Sequence, residues 1–339
     1  MKVLFVTNDY FDLINSRAPF ASYLESHHQT KVTLVLISNH ENADFLVFPK
    51  TLNGLKKLAR YMKSENYTIL IVRGVELSII LSPILAFCSS VKRIIYITGL
   101  GSLWGNKLTM RNSIFRGFYG IYIYLLRLRG ANFWAQNEDD LSELRLKSIG
   151  DIVNGSGVKF QNGPFVHDLT TQILFAGRIT YEKGFDHLIT LAGALPDNWN
   201  LIVCGELDSS ISKNDLEIFK TLAAENKIEY MGFIKEMPQM FERCSFAFYP
   251  TSYREGTPRF VLEAMGNGLI PVIPYVPGCK KIIDDGKAIN MSSNNWQEKL
   301  LNMDDEIYVE WVEYNRHLIE KVYSREAVYK EKYRLLCSY

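Results

Sequence analysis

The chain has no excess of either charge: 38 Lys and Arg stand against 37 Asp and Glu, a formal net charge of +1. That balance excludes a protein gripped to nucleic acid through a broad phosphate-neutralising surface. Cysteine is sparse. The five residues, Cys88, Cys204, Cys244, Cys279 and Cys337, are odd in number and lack CxxC spacing, so neither a disulfide framework nor a zinc site is expected. A reducing cytosol fits this usage. Long hydrophobic runs are missing too: Leu77 to Cys88 is apolar but falls well short of the ~20 residues that a spanning helix needs. Lys2 leads directly into VLFV (Val3 to Val6) without the opening of a secretory signal. These absences predict a cytoplasmic protein, at most peripheral on the inner face of the plasma membrane. No G-x-G-x-x-G follows the first strand-like run, which argues against a dinucleotide oxidoreductase. No DxD-like pair or histidine cluster sits at a strand end; Asp139-Asp140 and Asp284-Asp285 are adjacent pairs suited to capping or solvating helices, so no metal is expected.

What is present is alternation. Short β-rich runs, KVLFVT (Lys2 to Thr7), KVTLVLI (Lys31 to Ile37), YTILIV (Tyr67 to Val72), KRIIYIT (Lys92 to Thr98) and NFWAQ (Asn132 to Gln136), are separated by helical stretches such as Ala18 to Ser26, Leu55 to Ser64 and Leu77 to Cys88. Such a pattern predicts a parallel sheet covered by helices on both faces. It lapses in the turn-rich KFQNGPFVHD (Lys159 to Asp168) and resumes with QILFAG (Gln172 to Gly177), LIVCG (Leu201 to Gly205), IEYMG (Ile228 to Gly232), FAFYP (Phe246 to Pro250) and IPVIP (Ile270 to Pro274). At 339 residues the chain exceeds what one core usually supports. The expected division is 1–158, a linker at 159–170, 171–317, and a terminal helical segment at 318–339. Within that last segment, Arg325 to Cys337 has apolar residues at helical spacing behind a Ser324 cap.

In doubly wound sheets ligands bind at the carboxyl ends of the strands. Four such ends in the second half are informative: GRITYEKG (Gly177 to Gly184), CGE (Cys204 to Glu206), GFI (Gly232 to Ile234) and REGTPRFVLEAMGNG (Arg254 to Gly268). Pro258 suits a first helical position, which would leave the amides of Gly256, Thr257 and Arg259 at the positive end of a helix dipole, where phosphate is held. Arg178 and Lys183 are the cations that would neutralise a diphosphate. Glu255 and Glu263 then have a different use, because a carboxylate accepts two hydrogen bonds and suits vicinal hydroxyls. Each residue also has a plainer role open to it: surface charge or a pair with Glu182 for the cations, and a helix-start or solvated carboxylate for the glutamates.

Taken together, Gly177-Arg178, Glu182-Lys183-Gly184 and EGTPRFVLEAMGNG, followed by PVIP and PGCKKIIDDG, closely resemble the nucleotide-sugar half of retaining GT-B glycosyltransferases of family GT4. The first half resembles the family through YITGLGS (Tyr96 to Ser102), AQNEDD (Ala135 to Asp140) and NGSGV (Asn154 to Val158), in the manner of members that build bacterial surface polysaccharides such as O-antigen or capsule. The resemblance implies two Rossmann-like domains facing a cleft, with the C-terminal helix crossing back to the first. It implies that Glu255 contacts the transferred sugar, that Glu263 contacts the ribose, and that Arg178 and Lys183 hold the diphosphate. Gly177, Gly205 and the backbone near Phe233 and Ile234 complete the nucleotide side. Arg17, Thr98 and Gly99 are the acceptor-side candidates. Two departures stand out: NDYFD (Asn8 to Asp12) replaces the early glycine pair, and Thr98-Gly99 stands where many relatives carry a histidine.

The implied reaction transfers a sugar with retention from a nucleotide donor, taken as UDP-linked, to a lipid-linked or growing saccharide. Neither a cofactor nor nucleic acid is needed. A nucleotide-sugar epimerase of the same architecture and a non-catalytic sugar-nucleotide-binding protein are the competing readings. The former lacks assignable acid and base residues, and retention of both glutamates and both cations opposes the latter. Residues 107–129 mix arginines with apolar residues, so a helix there is expected either to lie on an anionic membrane interface or to pack on the sheet with its arginines snorkelling.

Overall fold

The computed structural model describes residues 1–39, 44–82, 91–101, 104, 110–160 and 168–338. The chain divides into two compact units: Met1–Gly157 together with Val328–Tyr339, and Val158–Ala327. The middle of the expected linker (161–167), the latter part of the expected helix 77–88 and residues 107–109 of the basic stretch lie outside the described residues.

The first unit runs β1 (Lys2–Thr7), α1 (Ala18–His28), β2 (Lys31–Ile37), β3 (Leu46–Phe48), α2 (Leu52–Glu65), β4 (Ile69–Arg73), α3 (Val75–Ile80), β5 (Lys92–Ile97), α4 (Met110–Leu128), β6 (Asn132–Ala135), α5 (Glu138–Glu143) and β7 (Gly150–Ile152). Its seven strands are ordered β3-β2-β1-β4-β5-β6-β7, all pairs parallel. The order reverses between β1 and β4, as in a doubly wound sheet. Strand residues are apolar without alternation because both faces are covered, and the period of two sorts them cleanly. Leu4, Val6, Leu70, Val72, Ile95 and Ile97 enter one core. Val3, Phe5, Ile69, Ile71, Ile94 and Tyr96 enter the other.

The second unit continues with β8 (Gln172–Ala176), α6 (Phe185–Ala194), β9 (Asn200–Cys204), α7 (Lys213–Ala224), β10 (Ile228–Gly232), α8 (Pro238–Arg243), β11 (Phe246–Phe248), α9 (Arg259–Gly266), β12 (Ile270–Ile273), α10 (Lys280–Asp285), β13 (Ile289–Asn290), α11 (Trp296–Leu301) and α12 (Asp305–Leu318). Its six strands are ordered β10-β9-β8-β11-β12-β13. All of its pairs are parallel too. Both units are therefore Rossmann-like, as the alternation of strands and helices predicts. Strands β3, β7 and β13 carry too few residues for their periodicity to be read from sequence.

The last helix, α13 (Arg325–Ser338), is capped by Ser324, whose Oγ accepts from the Ala327 amide at 3.2 Å. Residues 318–327 stay with the second unit, and the chain joins the first from Val328. There Val328, Tyr329, Leu335 and Leu336 complete the core that holds Phe5 and Tyr96.

Candidate active site

The sequence GRITYEKG builds one wall of a site at the carboxyl edge of the second sheet. After β8, Gly177 donates its amide to the Cys204 carbonyl at 3.0 Å, and Gly205 donates to the Gly232 carbonyl at 2.7 Å. Three neighbouring strands thus end in glycines, and each end is tied by a backbone bond to a neighbouring strand. Gly205 has φ +144°, and a Cβ on it would overlap the Gly177 carbonyl, so no side chain can stand at this position. Phe233, 61% exposed, and half-buried Ile234 follow β10 at the sheet margin.

Past exposed Arg178, Thr180 caps a 3-10 turn at Tyr181–Lys183 by accepting from the Lys183 amide at 3.2 Å. The carbonyl of Glu182 accepts from the amides of Ser252 (2.9 Å) and Tyr253 (3.2 Å). Those two bonds clamp the turn to the loop that carries Glu255. As a result the Lys183 ammonium forms an ion pair with Glu255 Oε1, and both side chains are mostly shielded, at 16% and 18% exposure. Tyr249 completes the cluster: Lys183 Nζ donates to its hydroxyl at 2.6 Å, and that hydroxyl donates to Glu255 Oε1 at 2.9 Å. Burial first, and the neighbouring Glu255 charge second, push the Tyr249 phenol far above its ordinary range, which keeps its proton in place as a donor. The Lys183 ammonium also lies 5.3 Å from the centre of the Tyr253 ring.

Gly278 supports the acidic loop from behind. With φ +89°, it sits where a Cβ would come within 2.7 Å of the carbonyl oxygens of both Glu255 and Gly256. Cys279, next in the chain, is buried, and burial followed by the charge of Glu255 raises its thiol pKa.

The other expected residues are placed differently. Pro258 is not the first helical residue of α9 but its N-cap, with ψ 112°. A proline there has no side chain able to cap, and Arg259 begins the helix. Thr257 and Glu263 are half-buried, and Gly256 is buried. Arg259 Nε donates to Glu263 Oε1 at 2.7 Å across one helical turn, so Glu263 is paired with a cation from its own helix. Arg178 lies near Asp208, whose carboxyl is held below its ordinary value mainly by Ser210, with Arg178 contributing least.

Arg17 is buried and paired. Expected on the acceptor side, it is 1% exposed, ends a π-helical turn (Leu13–Arg17), and makes a two-pronged bond to Asp12, Nε to Oδ2 and Nη2 to Oδ1 at 2.9 Å each. Its guanidinium also stacks 4.5 Å from the Tyr96 ring centre. Burial pushes the Asp12 carboxyl up, but Arg17 and Arg73 outweigh it and hold it below the usual range. Thr98 and Gly99 (φ +112°) are half-buried just past β5 in the first unit. Sequence reasoning passed over Tyr249, Tyr253 and Gly278. The available signal was the phenol of Tyr249 directly after an apolar strand, since a buried tyrosine hydroxyl requires a polar partner.

Comparison with known proteins bears on this geometry. Residues 164–323, just under half of the chain, match the family model described as Glycosyl transferases group 1. An uncharacterized glycosyltransferase of Methanocaldococcus jannaschii is 28% identical over 130 residues, 37% of this chain and 33% of that protein. N,N'-diacetylbacillosaminyl-diphospho-undecaprenol alpha-1,3-N-acetylgalactosaminyltransferase of Campylobacter jejuni is 28% identical over 113 residues, 33% of this chain and 29% of that protein. The chain thus spans about a third of the length of these curated relatives. Among solved structures, Anabaena HepE in complex with UDP superposes with a TM-score of 0.77 at 13% identity, covering 100% of both chains. The lipopolysaccharide outer core galactosyltransferase WaaB gives 0.70 at 13% identity, covering 100% of this chain and 99% of that one. The superpositions show the GT-B fold, and the match to group 1 glycosyl transferases lies in residues 164–323.

Proposed function

We propose that the protein transfers a sugar, with retention of configuration, from a UDP-sugar to a hydroxyl of a lipid-linked or growing saccharide in bacterial surface-polysaccharide synthesis. The observation that carries this reading is the Lys183–Tyr249–Glu255 cluster beside a strand edge stripped of side chains by Gly177 and Gly205. The bare edge admits a pyrophosphate to the backbone, and the cluster offers a cation and an acid side by side. Without donor the two neutralise each other. On donor binding Lys183 turns to the diphosphate, and Glu255 is released to accept from sugar hydroxyls. Glu263, once parted from Arg259, serves the ribose, and the backbone at Phe233 and Ile234 serves the base.

In the reaction the bond from the anomeric carbon to the phosphate oxygen breaks, and the acceptor oxygen bonds to the same face. The acceptor's proton passes to the departing phosphate oxygen, so no protein base is required, and UDP leaves. Arg178 and Lys183 stabilise the charge that develops on the diphosphate, a term for which one well-placed donor is typically worth ~3 kcal/mol. This scheme calls on no metal. The names of the Campylobacter relative and of WaaB support a saccharide acceptor tied to lipid. No helix among the described residues is long and apolar enough to cross a membrane. Contact with an anionic membrane is assigned to the stretch 107–129.

The test is incubation with a panel of UDP- and GDP-sugars. A transferase hydrolyses its donor slowly, an epimerase interconverts isomers, and a binding protein does neither. Lys183→Ala and Glu255→Ala are each expected to lower donor turnover at least ~10²-fold. Wild-type rates in both variants would dismiss the assignment.

A further inference from the structure

Helix α4 presents Ile114, Phe118, Ile121, Leu125 and Leu128 to solvent, all between 48% and 66% exposed. Their spacing alternates four and three residues, which keeps them in one straight seam along the helix. The helix contains no acidic residue, and its ionised side chains are arginines. Beside this seam, where α4 meets the turn after α5, lies a cavity of about 550 Å³. Among the described residues, Arg116, Arg127 and Arg145 line it with a single carboxylate, Glu143, and its walls include Trp104, Tyr124 and Leu146. Arg116 lies 5.9 Å from the Trp104 ring centre. Arg127 and Arg145 make no ion pair or hydrogen bond through their side chains among the described residues.

We infer that this cavity binds the phosphate headgroup of an anionic phospholipid while the adjoining seam enters the bilayer interface. Arg127 and Arg145, both without a side-chain partner among the described residues, leave an excess of positive charge that calls for an anion. A free phosphate would leave the cavity largely empty and the seam uncovered. A glycerophosphate headgroup with the start of its chains satisfies the arginines and covers the apolar wall at once. A second copy of the chain fits poorly, since seam-to-seam pairing would set arginines against arginines with no acid on either helix to answer them. The inference sharpens the membrane contact assigned above, yet it does not depend on which sugar is transferred.

Cosedimentation with phosphatidylcholine vesicles, with and without phosphatidylglycerol, tests it. Wild type is expected to bind only the phosphatidylglycerol vesicles. The double variant Arg127→Ala/Arg145→Ala should lose about tenfold or more in partitioning. Lys56→Ala/Lys57→Ala removes the same charge from the exposed face of α2 and should leave binding unchanged. Donor hydrolysis in detergent-free solution should stay at the wild-type rate in both, which shows that they are folded. If hydrolysis is absent even in wild type, the transferase reading fails while the vesicle result still decides the headgroup site. Equal losses in the two double variants, or equal binding to both vesicle types, would overturn the site. So would a dimer in solution that Phe118→Ser/Ile121→Ser dissociates, with no vesicle binding by wild type.

Discussion

Replacing Tyr249 by Phe removes one oxygen atom and leaves the rest of the site in place. The ring keeps its packing, with its centre 6.2 Å from Phe175 and 5.9 Å from Phe260. What disappears is the hydroxyl that accepts from Lys183 at 2.6 Å and donates to Glu255 at 2.9 Å. Hydrogen bonds to charged groups contribute about 1.5–3 kcal/mol each. The sum is not expected here, because Lys183 and Glu255 remain in contact and, at 16% and 18% exposure, water reaches both. A net loss of about 2 kcal/mol follows, or about 4–8 °C in the melting of a unit of this size. Because the same hydroxyl fixes the acid that meets the sugar, donor hydrolysis should fall about tenfold or more. Thermal melting and initial-rate hydrolysis measure the two effects. A double-mutant cycle with Glu255→Gln assigns them: on top of that substitution, Tyr249→Phe should cost about 1 kcal/mol less than it does alone. If Tyr249→Phe melts and turns over like wild type, or if its cost is the same with and without Glu255→Gln, the three side chains do not act as a unit and the reasoning fails.

Two further outcomes follow from packing and charge. Gly278→Ala should lower donor turnover sharply and destabilise the protein by about 1–2 kcal/mol, since its φ of +89° disfavours a side chain and the new methyl would press on the Glu255 and Gly256 carbonyls. Gly193→Ala, in α6 with no atom within 4 Å of its Cβ, should instead stabilise by a few tenths to about 1 kcal/mol. Calorimetry on the pair separates crowding from a general intolerance of glycine replacement. Lys332 in α13 is 1% exposed, its amine has no hydrogen-bond partner among the described residues, and it lies 5.2 Å from the Phe20 ring centre and 5.3 Å from that of Tyr96. Burial, and then the charge of Arg17, depress its pKa well below the ordinary lysine value. The unfolded chain therefore holds a proton that the native state releases, and stability rises with pH from the folded pKa of Lys332 up to about 10.4. Lys332→Met should raise Tm by several degrees at neutral pH and flatten that rise in melts taken across the range. An unchanged slope would rule out a deprotonated Lys332.

Much of the architecture follows from local pattern alone. Strands such as Lys2–Thr7, Lys31–Ile37 and Ile228–Gly232 are legible because a run of apolar β-formers bounded by polar turns has one economical home, the interior of a parallel sheet. Strands such as Leu46–Phe48 and Ile289–Asn290 are not legible, because pairing with a neighbour defines them more than their own composition does. The terminal helix could be read from its spacing and its serine cap. That its Val328 and Tyr329 complete the core of the first unit is a property of the folded chain.

The candidate site divides in the same way. Lys183, Glu255 and the strand-end glycines announce themselves, since charge and missing side chains at carboxyl ends of strands are written in the residue types. Arg17 looked equivalent to them as a letter in a loop. Only its surroundings, Asp12 on one side and the Tyr96 ring on the other, turn it into a buried structural cation. Tyr249 is the reverse case: it reads as one more apolar strand residue, yet the clamp formed by the Glu182 carbonyl brings Lys183 and Glu255 onto its hydroxyl. The chain by itself determined which longer segments become strands and helices and which chemical groups stand at their ends, because those depend on near neighbours in sequence. Tertiary structure decided which of those groups meet, because Lys183 and Glu255 are separated by 72 positions and no local preference spans that interval.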